Sequence, residues 1–132
     1  FVAIQRDARD DKRSADTLLI AEALEKYYEK NGEYPSCAMM KASPTTIANT
    51  TLRGVSTNIF KAPQAASGVT SSIVCTNPTS TSGDVYAYLG DDSTDCATGN
   101  FCAGWIIRYQ KENGEVAEIQ SRHGSDVAGH EH

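Results

Sequence analysis

The hydrophobic positions of the chain first form a regular pattern between Thr17 and Tyr28. They recur there at the spacing i, i+3, i+4 and i+7, which places them on one face of a helix. The helix is predicted to end at "NGEYP", because Gly32 can adopt the left-handed conformation that follows a helix and Pro35 cannot continue one. This apolar face consists of Thr17, Ile20, Ala21, Leu24, Tyr27 and Tyr28.

The segment before this face is almost free of apolar side chains. After "FVAI", residues 6–16 mix basic and acidic side chains without Pro or Gly. We predict a helix within residues 1–31 that is unbroken from about residue 3 to residue 31, about 40 Å long at about 1.5 Å per residue. Its first half is expected to stand clear of the core, held by pairs such as Arg6 with Asp10 and Asp10 with Arg13. The alternative is a disordered, charged tail.

Residues 36–84 are dense in Ser and Thr and are punctuated by Pro44, Pro63 and Pro78. This composition favours a long loop with short strand or turn pieces, such as "NIF" and "SIVC". Loops of this length in a compact domain are usually functional surfaces or disordered segments.

Residues 85–120 have the pattern of a sheet. "DVYAYLG" alternates small or aliphatic residues with Tyr86 and Tyr88, as in a half-buried strand. Two further runs flank Asn113-Gly114, which suits a tight hairpin turn. The residues expected to line one face of this hairpin are Trp105, Ile107 and Tyr109, with Val116 and Ile119 on the returning strand.

Together these elements predict a single α+β domain over residues 1–132. The long N-terminal helix packs across a small antiparallel β-sheet, because the helix stripe and one face of the sheet can cover each other. A long disulfide-tied loop connects them, and residues 121–132 are expected to form a flexible tail.

Composition narrows the classes of protein that fit this fold. The net charge of −5 argues against a general nucleic-acid binder, which needs a basic face. No apolar run approaches the roughly 20 residues that span a bilayer. "FVAI" nevertheless has the character of the end of a longer apolar segment, and we expect such a segment to precede it.

Four cysteines form an even set without a C-x-x-C pair, which favours two disulfides in an oxidising compartment over a zinc site. Three pairings are available. We favour Cys96 with Cys102, which closes a small loop, and Cys37 with Cys75, which restrains the long connection.

No residue pattern indicates catalysis. The sequence has no G-x-S-x-G, H-E-x-x-H, P-loop or dinucleotide-binding glycine motif. We therefore expect no enzymatic activity and no cofactor.

The segment 1–35 resembles the type IV pilin-like proteins, a class that includes the pseudopilins of type II secretion. The resemblance lies in a charged helix that continues an apolar start, followed by "AEALEKYYEKNGEYP" with the pattern Tyr28-x-x-Asn31-Gly32-x-Tyr34-Pro35. In that family a leader is cleaved before a strongly apolar N-terminal helix half, which this sequence lacks.

The resemblance implies a filament subunit. In such proteins the apolar helix half anchors the precursor in the inner membrane and later packs with copies in the filament core. The charged stretch then faces neighbouring subunits, and its mixed signs suit pairing between staggered copies. The alternative is an ordinary solvated surface. The residues expected at this subunit contact are Arg6, Asp7, Arg9, Asp10, Lys12 and Arg13.

The turn "GDDSTDC" is a candidate metal site. Asp91, Asp92 and Asp95 offer hard oxygen ligands, and resembling major pseudopilins often bind calcium in a comparable loop. The pattern does not match an EF-hand loop, and we favour a solvated acidic turn, with calcium as the alternative.

Two functional hypotheses follow from these patterns. The first is a structural subunit of a type IV pilus or pseudopilus, extracellular or periplasmic, whose partners are copies of itself and other pilins. Such filaments serve adhesion, motility, DNA uptake or secretion. The second is an extracellular, disulfide-stapled ligand-binding or adhesin module on a helical stalk.

Overall fold

The computed structural model describes residues 2–79, 83–90 and 102–123. Within these ranges an N-terminal helix, α1 (Val2–Asn31), is followed by two short helices, α2 (Cys37–Met40) and α3 (Pro44–Asn49), and a 3₁₀ helix (Thr57–Phe60). The strands are β1 (Ile73–Val74), β2 (Tyr86–Gly90), β3 (Trp105–Gln110) and β4 (Val116–Gln120). The α+β class predicted from the sequence is confirmed.

Helix α1 is a single helix of 30 residues. It ends where the sequence predicts, because Gly32 adopts φ 73° and its N–H donates to the carbonyl of Tyr28 over 2.7 Å. The charged segment is therefore helical and not a disordered tail. The predicted apolar face is also confirmed, since Ile20 and Leu24 are fully buried.

The Ser/Thr-rich region contains more regular structure than a loop. Ser36, Ser43 and Ser56 precede α2, α3 and the 3₁₀ helix, and each side-chain oxygen accepts a backbone N–H of the helix that follows. These serines act as N-caps, which satisfy amide groups that a short helix leaves unpaired. "NIF" thus belongs to the 3₁₀ helix and "SIVC" contains β1.

A disulfide joins Cys37 at the start of α2 to Cys75, which directly follows β1. The two residues are 38 positions apart, so the bond closes most of the Ser/Thr-rich region into one covalent loop. The predicted Cys37–Cys75 pairing is confirmed. Cys96 lies outside the described residues, so its pairing with Cys102 stays a prediction.

The sheet has four strands in the order β1-β2-β3-β4. Strands β2, β3 and β4 are antiparallel neighbours, as predicted, but β1 runs parallel to β2. The sheet is therefore mixed, and the prediction of a wholly antiparallel sheet is wrong. The strand β1 has only two residues, and its direction depends on its pairing with β2, which the sequence pattern does not show.

The hairpin between β3 and β4 turns through three residues. Lys111 N–H donates to the carbonyl of Glu115, and Gly114 N–H donates to the carbonyl of Lys111. Gly114 has φ 87°, and no residue other than glycine has a positive φ within the described ranges. The turn is thus a three-residue loop that places only the glycine in the left-handed region.

The tyrosines of β2, and not its aliphatic residues, face the helix. Tyr86 and Tyr88 belong to the buried core cluster that includes Ile20, Leu24 and Trp105. Each tyrosine reaches a buried acceptor: Tyr86 donates to Asp16 over 2.8 Å, and Tyr88 donates to the carbonyl of Pro35 over 2.6 Å. An aromatic ring with a satisfied hydroxyl buries a large apolar area at little polar cost.

The predicted inward face of the hairpin is mostly correct. Trp105, Ile107 and Tyr109 are buried, and Ile119 lies opposite Ile107 in the register. Val116 is paired with Gln110 and is 50% exposed, so its predicted place on the inward face is wrong. Positions 116 and 119 are three residues apart and cannot share one face of a regular strand.

No helix within the described part of the chain combines the length and the apolar character needed to cross a bilayer.

Candidate functional site: the first half of helix α1

The first turns of α1 project from the domain. Residues 2–8 are all exposed, and Val2 and Ile4 leave 61% and 71% of their surfaces accessible to solvent. From Arg9 onward the same helix is partly covered by its own domain. The boundary between a projecting and a docked helix therefore lies near residue 8.

Arg13 is the centre of the docked part. Its side chain is 3% exposed, although it carries a full charge. The guanidinium donates to Asp84 through Nε over 2.9 Å and through Nη2 over 3.0 Å, which is a bidentate pair. Its Nη1 lies 2.8 Å from Asp10 and 2.7 Å from Glu112. Three carboxylates thus surround one buried cation.

Glu112 brings the β3–β4 turn to the helix. Its carboxylate accepts a hydrogen bond from Arg9 over 2.6 Å and lies beside Arg13, while its own backbone N–H donates to Asp10 over 3.1 Å. The side chain of Glu112 is 13% exposed. The turn is therefore fixed against α1 by both side-chain and main-chain contacts.

Asp84 brings in the chain just before β2. Besides the bidentate pair with Arg13, its Oδ2 accepts the backbone N–H of Gln64 over 2.9 Å. The side chain of Asp84 is 7% exposed, so it is a buried acceptor with charged and neutral donors. The segment after the 3₁₀ helix is thereby joined to the same cluster. We define the ionic cluster as Arg9, Asp10, Arg13, Asp84 and Glu112.

A second polar link lies one turn further along α1. Lys12 donates to Asp16 and to the backbone carbonyls of Asn58 and Lys61. Asp16, which is 6% exposed, also accepts the hydroxyl of Tyr86. This link ties the helix to the 3₁₀ helix on one side and to β2 on the other.

The electrostatics agree with this geometry. Hydrogen bonding from Arg9, together with that from Arg13, lowers the pKa of Glu112 to about 2 against the opposing effect of burial. Burial disfavours the charge on Arg13, but its hydrogen bonds to Asp84 and Glu112 outweigh that effect and raise its pKa. Burial and the bond to Asp16 raise the pKa of Tyr86. Arg13 and Glu112 are therefore both charged at neutral pH.

These contacts change the interpretation of the charged segment. Arg9, Asp10, Lys12 and Arg13 bind groups of their own domain, so the expectation that the whole first half stands clear of the core is wrong from residue 9 onward. The predicted pair of Asp10 with Arg13 is confirmed. Arg6 has no ion pair within residues 2–79, 83–90 and 102–123, and Asp10 is directed instead at Arg13 and the N–H of Glu112.

Sequence reasoning missed the partners in the rest of the chain. Asp84 and Glu112 lie 71 and 99 positions from Arg13, and no local pattern links them to it. A usable signal exists for Arg13 itself. It stands four positions before Thr17 and seven before Ile20, so it continues the buried stripe of α1 toward the N-terminus.

A groove of about 630 Å³ runs beside the second half of α1. One wall is the helix, with Leu19, Ala23 and Tyr27, and the other is the segment around Val55 and Ile59. Leu19 is 48% exposed and the adjacent Leu18 is 52% exposed. The charged residues along its rim are Glu22, Lys26, Glu29, Lys30 and Arg53.

The candidate calcium ligands Asp91, Asp92 and Asp95 lie outside the described residues. Among the residues that are described, no group of three His, Cys, Asp or Glu side chains is arranged to hold a metal ion.

Comparison with known proteins gave no match: no family model, curated protein or solved structure is similar to this chain at a significant level.

Proposed function

We propose that this chain is the globular part of a structural subunit of a type IV pilus or pseudopilus, which assembles through its N-terminal helix. The observation that carries the proposal is the projecting start of α1, where residues 2–8 are exposed and include Val2 and Ile4. Apolar side chains on a helix that leaves its own domain suit a surface that other molecules cover.

The ionic cluster supports this role because it fixes the direction of the projecting helix. Arg9 and Arg13 bind Glu112 on the β3–β4 turn, and Arg13 also binds Asp84 before β2. Buried and partly buried charge pairs with several hydrogen bonds hold one geometry. A subunit whose helix is fixed to its sheet presents the same outer surface at every position of a filament.

The contacts at the end of α1 give a structural reason for the sequence pattern on which the family resemblance is based. Tyr34, in the pattern shared with pseudopilins, is fully buried, donates its hydroxyl to Glu25 over 2.7 Å, and packs against Tyr28 with ring centroids 4.7 Å apart. The residues that follow Gly32 thus pack back on the last turns of the helix. The proposal involves no catalytic step, and it places the subunit in the periplasm or on the cell surface.

The decisive experiment is deletion of the gene, followed by imaging of the cell surface with antibodies against residues 1–132. We expect filaments that carry the antibody along their length in the parent strain and in the complemented strain, and none in the deletion strain. Filaments that persist unlabelled in the deletion strain, together with unimpaired type II secretion, would contradict the proposal. The coding sequence before Phe1 is expected to encode about 20 apolar residues.

A second candidate is a ligand-binding module, and the groove beside α1 favours it. Its volume of about 630 Å³ lies within the range of about 300–1,000 Å³ that small-molecule sites occupy. This function predicts that removal of residues 1–8 leaves ligand binding unchanged, since those residues lie outside the groove lining. The filament proposal predicts that the same deletion abolishes assembly.

A further inference from the structure

Most of the exposed large apolar side chains of the described residues lie on α1. Four of the five, namely Val2, Ile4, Leu18 and Leu19, belong to this helix, and the fifth is Val116. They form two separate sites: Val2 and Ile4 lie on the projecting start of the helix, and Leu19 lines the groove, with Leu18 next to it in the sequence. A monomer gains nothing from leaving both sites in water.

The start of α1 has a defined outer face. Ile4, Asp7 and Asp11 are separated by three and four positions, so they lie on one side of the helix. Asp7 and Asp11 are exposed, and their carboxylates have no ion pair or hydrogen bond within the described part of the chain. This face therefore offers one apolar side chain followed by two unpaired negative charges.

The groove has apolar residues followed by positively charged ones, which matches the apolar and negatively charged positions at the start of α1. Ala23 lines it between Leu19 and Tyr27, which gives an apolar floor, and Lys26 and Lys30 follow on the same helix. Both lysines are exposed and, like Asp7 and Asp11, are four positions apart. Arg53 adds a third positive charge from the opposite wall, and Glu22 and Glu29 also line the groove, so its charged lining is net positive by one.

The two faces match at a single offset. Asp7 and Lys26 are nineteen positions apart in the sequence, and so are Asp11 and Lys30. The same offset places Ile4 opposite Ala23, where Leu19 and Tyr27 flank it. At about 1.5 Å per residue, nineteen positions correspond to a stagger of about 28 Å between parallel helices.

We propose that the groove between α1 and the segment 53–59 receives the N-terminal turns of a second copy of this chain, with Ile4 in the apolar floor and Asp7 and Asp11 beside Lys26 and Lys30. The contact is heterologous, because the donor face and the acceptor groove are different surfaces of the same molecule. A repeated heterologous contact between parallel, staggered copies extends into an open filament. The inference rests on the proposed function and names its acceptor surface.

Photo-crosslinking of the purified 132-residue chain tests the contact. Ile4 is replaced by benzoylphenylalanine, ¹⁴N and ¹⁵N copies are mixed, and crosslinked peptides are identified by mass spectrometry. We expect links between copies of different isotope from position 4 to residues 19–27 and 53–59. The control is benzoylphenylalanine at Val116, which is also exposed but lies on β4. Links from position 4 to other surfaces, or no links between copies, overturn the inference.

Charge exchange tests the register. Reversal with Lys26→Glu and Lys30→Glu is expected to lower the yield of intermolecular links about tenfold, because it replaces two attractive pairs by repulsive ones. The addition of Asp7→Lys and Asp11→Lys in the same chain restores the yield. The matched control, Lys41→Glu with Arg122→Glu, changes the net charge equally at positions outside the groove lining. A loss that the second pair does not restore contradicts the register.

The outcomes separate this inference from the proposed function. If crosslinks to the groove form in solution but cell-surface filaments persist without the gene, the contact is supported and the filament role is rejected. Filaments that depend on the gene, without groove links, support the role and reject this acceptor surface.

Discussion

Tyr86 donates its hydroxyl to the carboxylate of Asp16 over 2.8 Å and so joins strand β2 to the middle of α1. Both side chains are buried, and Lys12 is the other side chain bonded to Asp16. The bond therefore joins a neutral donor to a buried carboxylate. Such a bond contributes more to the free energy of unfolding than a bond between two neutral groups.

Replacement of this donor should destabilise the fold. We expect Tyr86→Phe to lower the free energy of unfolding by about 1–3 kcal/mol, because the Asp16 carboxylate loses a hydrogen bond that water cannot replace. Urea denaturation measures the difference. Tyr27→Phe is the matched control, since Tyr27 is only half-buried and its hydroxyl has no hydrogen bond among the described residues. Equal effects of the two substitutions would contradict the assigned role of the Asp16 bond.

Arg13 should be the most sensitive position of the charged segment. Arg13→Met keeps most of the side-chain volume but leaves Asp84, Glu112 and Asp10 without their shared cation. Removal of one partner from a buried ion pair costs about 3–5 kcal/mol, and we expect a loss in this range by chemical denaturation.

Arg6→Met is the control for Arg13→Met. It removes the same charge from an exposed position of the same helix and is expected to change stability by less than about 0.5 kcal/mol. Similar losses for the two variants would show that the helix, and not the ionic cluster, responds to the lost charge.

The lowered pKa of Glu112, about 2, predicts a specific acid dependence of stability. The unfolded chain binds this proton near pH 4.3, whereas the folded chain does not bind it until about pH 2. The contribution of Glu112 is thus complete above about pH 5 and is lost as the pH falls through 2.

The variant Glu112→Gln isolates this contribution. We expect the difference in unfolding free energy between the parent and the variant to be constant from pH 5 to pH 7 and to shrink steadily from about pH 4.3 toward pH 2. Urea titrations at half-unit intervals of pH measure it. A difference that does not change between pH 5 and pH 2 would contradict the ion pairs of Arg9 and Arg13 with Glu112.

The Cys37–Cys75 bond should contribute a large share of the stability of the Ser/Thr-rich region. For a separation of 38 residues, loop-closure entropy predicts a loss of about 4 kcal/mol in the double variant Cys37→Ser, Cys75→Ser. Thermal denaturation measures the loss. Limited proteolysis should then cut between residues 38 and 74 before it cuts α1. Unchanged stability and cleavage would show that the short helices hold this region without the bond.

The parts of the fold that follow from local rules were predictable. The end of α1 at Gly32 and the hairpin around Gly114 depend on glycine conformations that neighbouring residues make evident. The buried stripe through Ile20 and Leu24 depends on helical spacing alone.

The other features depend on contacts between distant residues. The alternation in β2 separates tyrosines from aliphatic residues but does not show which set faces the core. That choice is set by Asp16 and the carbonyl of Pro35, which accept the two hydroxyl groups. The parallel direction of β1 is likewise evident only from its pairing with β2.

The candidate site was predicted in position but not in its contacts. Residues 6–13 were correctly predicted to be helical, yet a charged side chain is normally expected in water. Arg13 is buried because Asp84 and Glu112 reach it from distant segments. Only the tertiary structure brings these carboxylates together.

The distance along the chain between Arg9 and Glu112 has a consequence for biosynthesis. The two residues are 103 positions apart, and the hairpin that carries the glutamate is among the last described elements. At a synthesis rate of about 5–20 residues per second, the arginines emerge from the ribosome about 5–20 seconds before their acidic partner. The contact between α1 and the β3–β4 turn cannot form during that interval, and a polypeptide released before residue 112 never forms it.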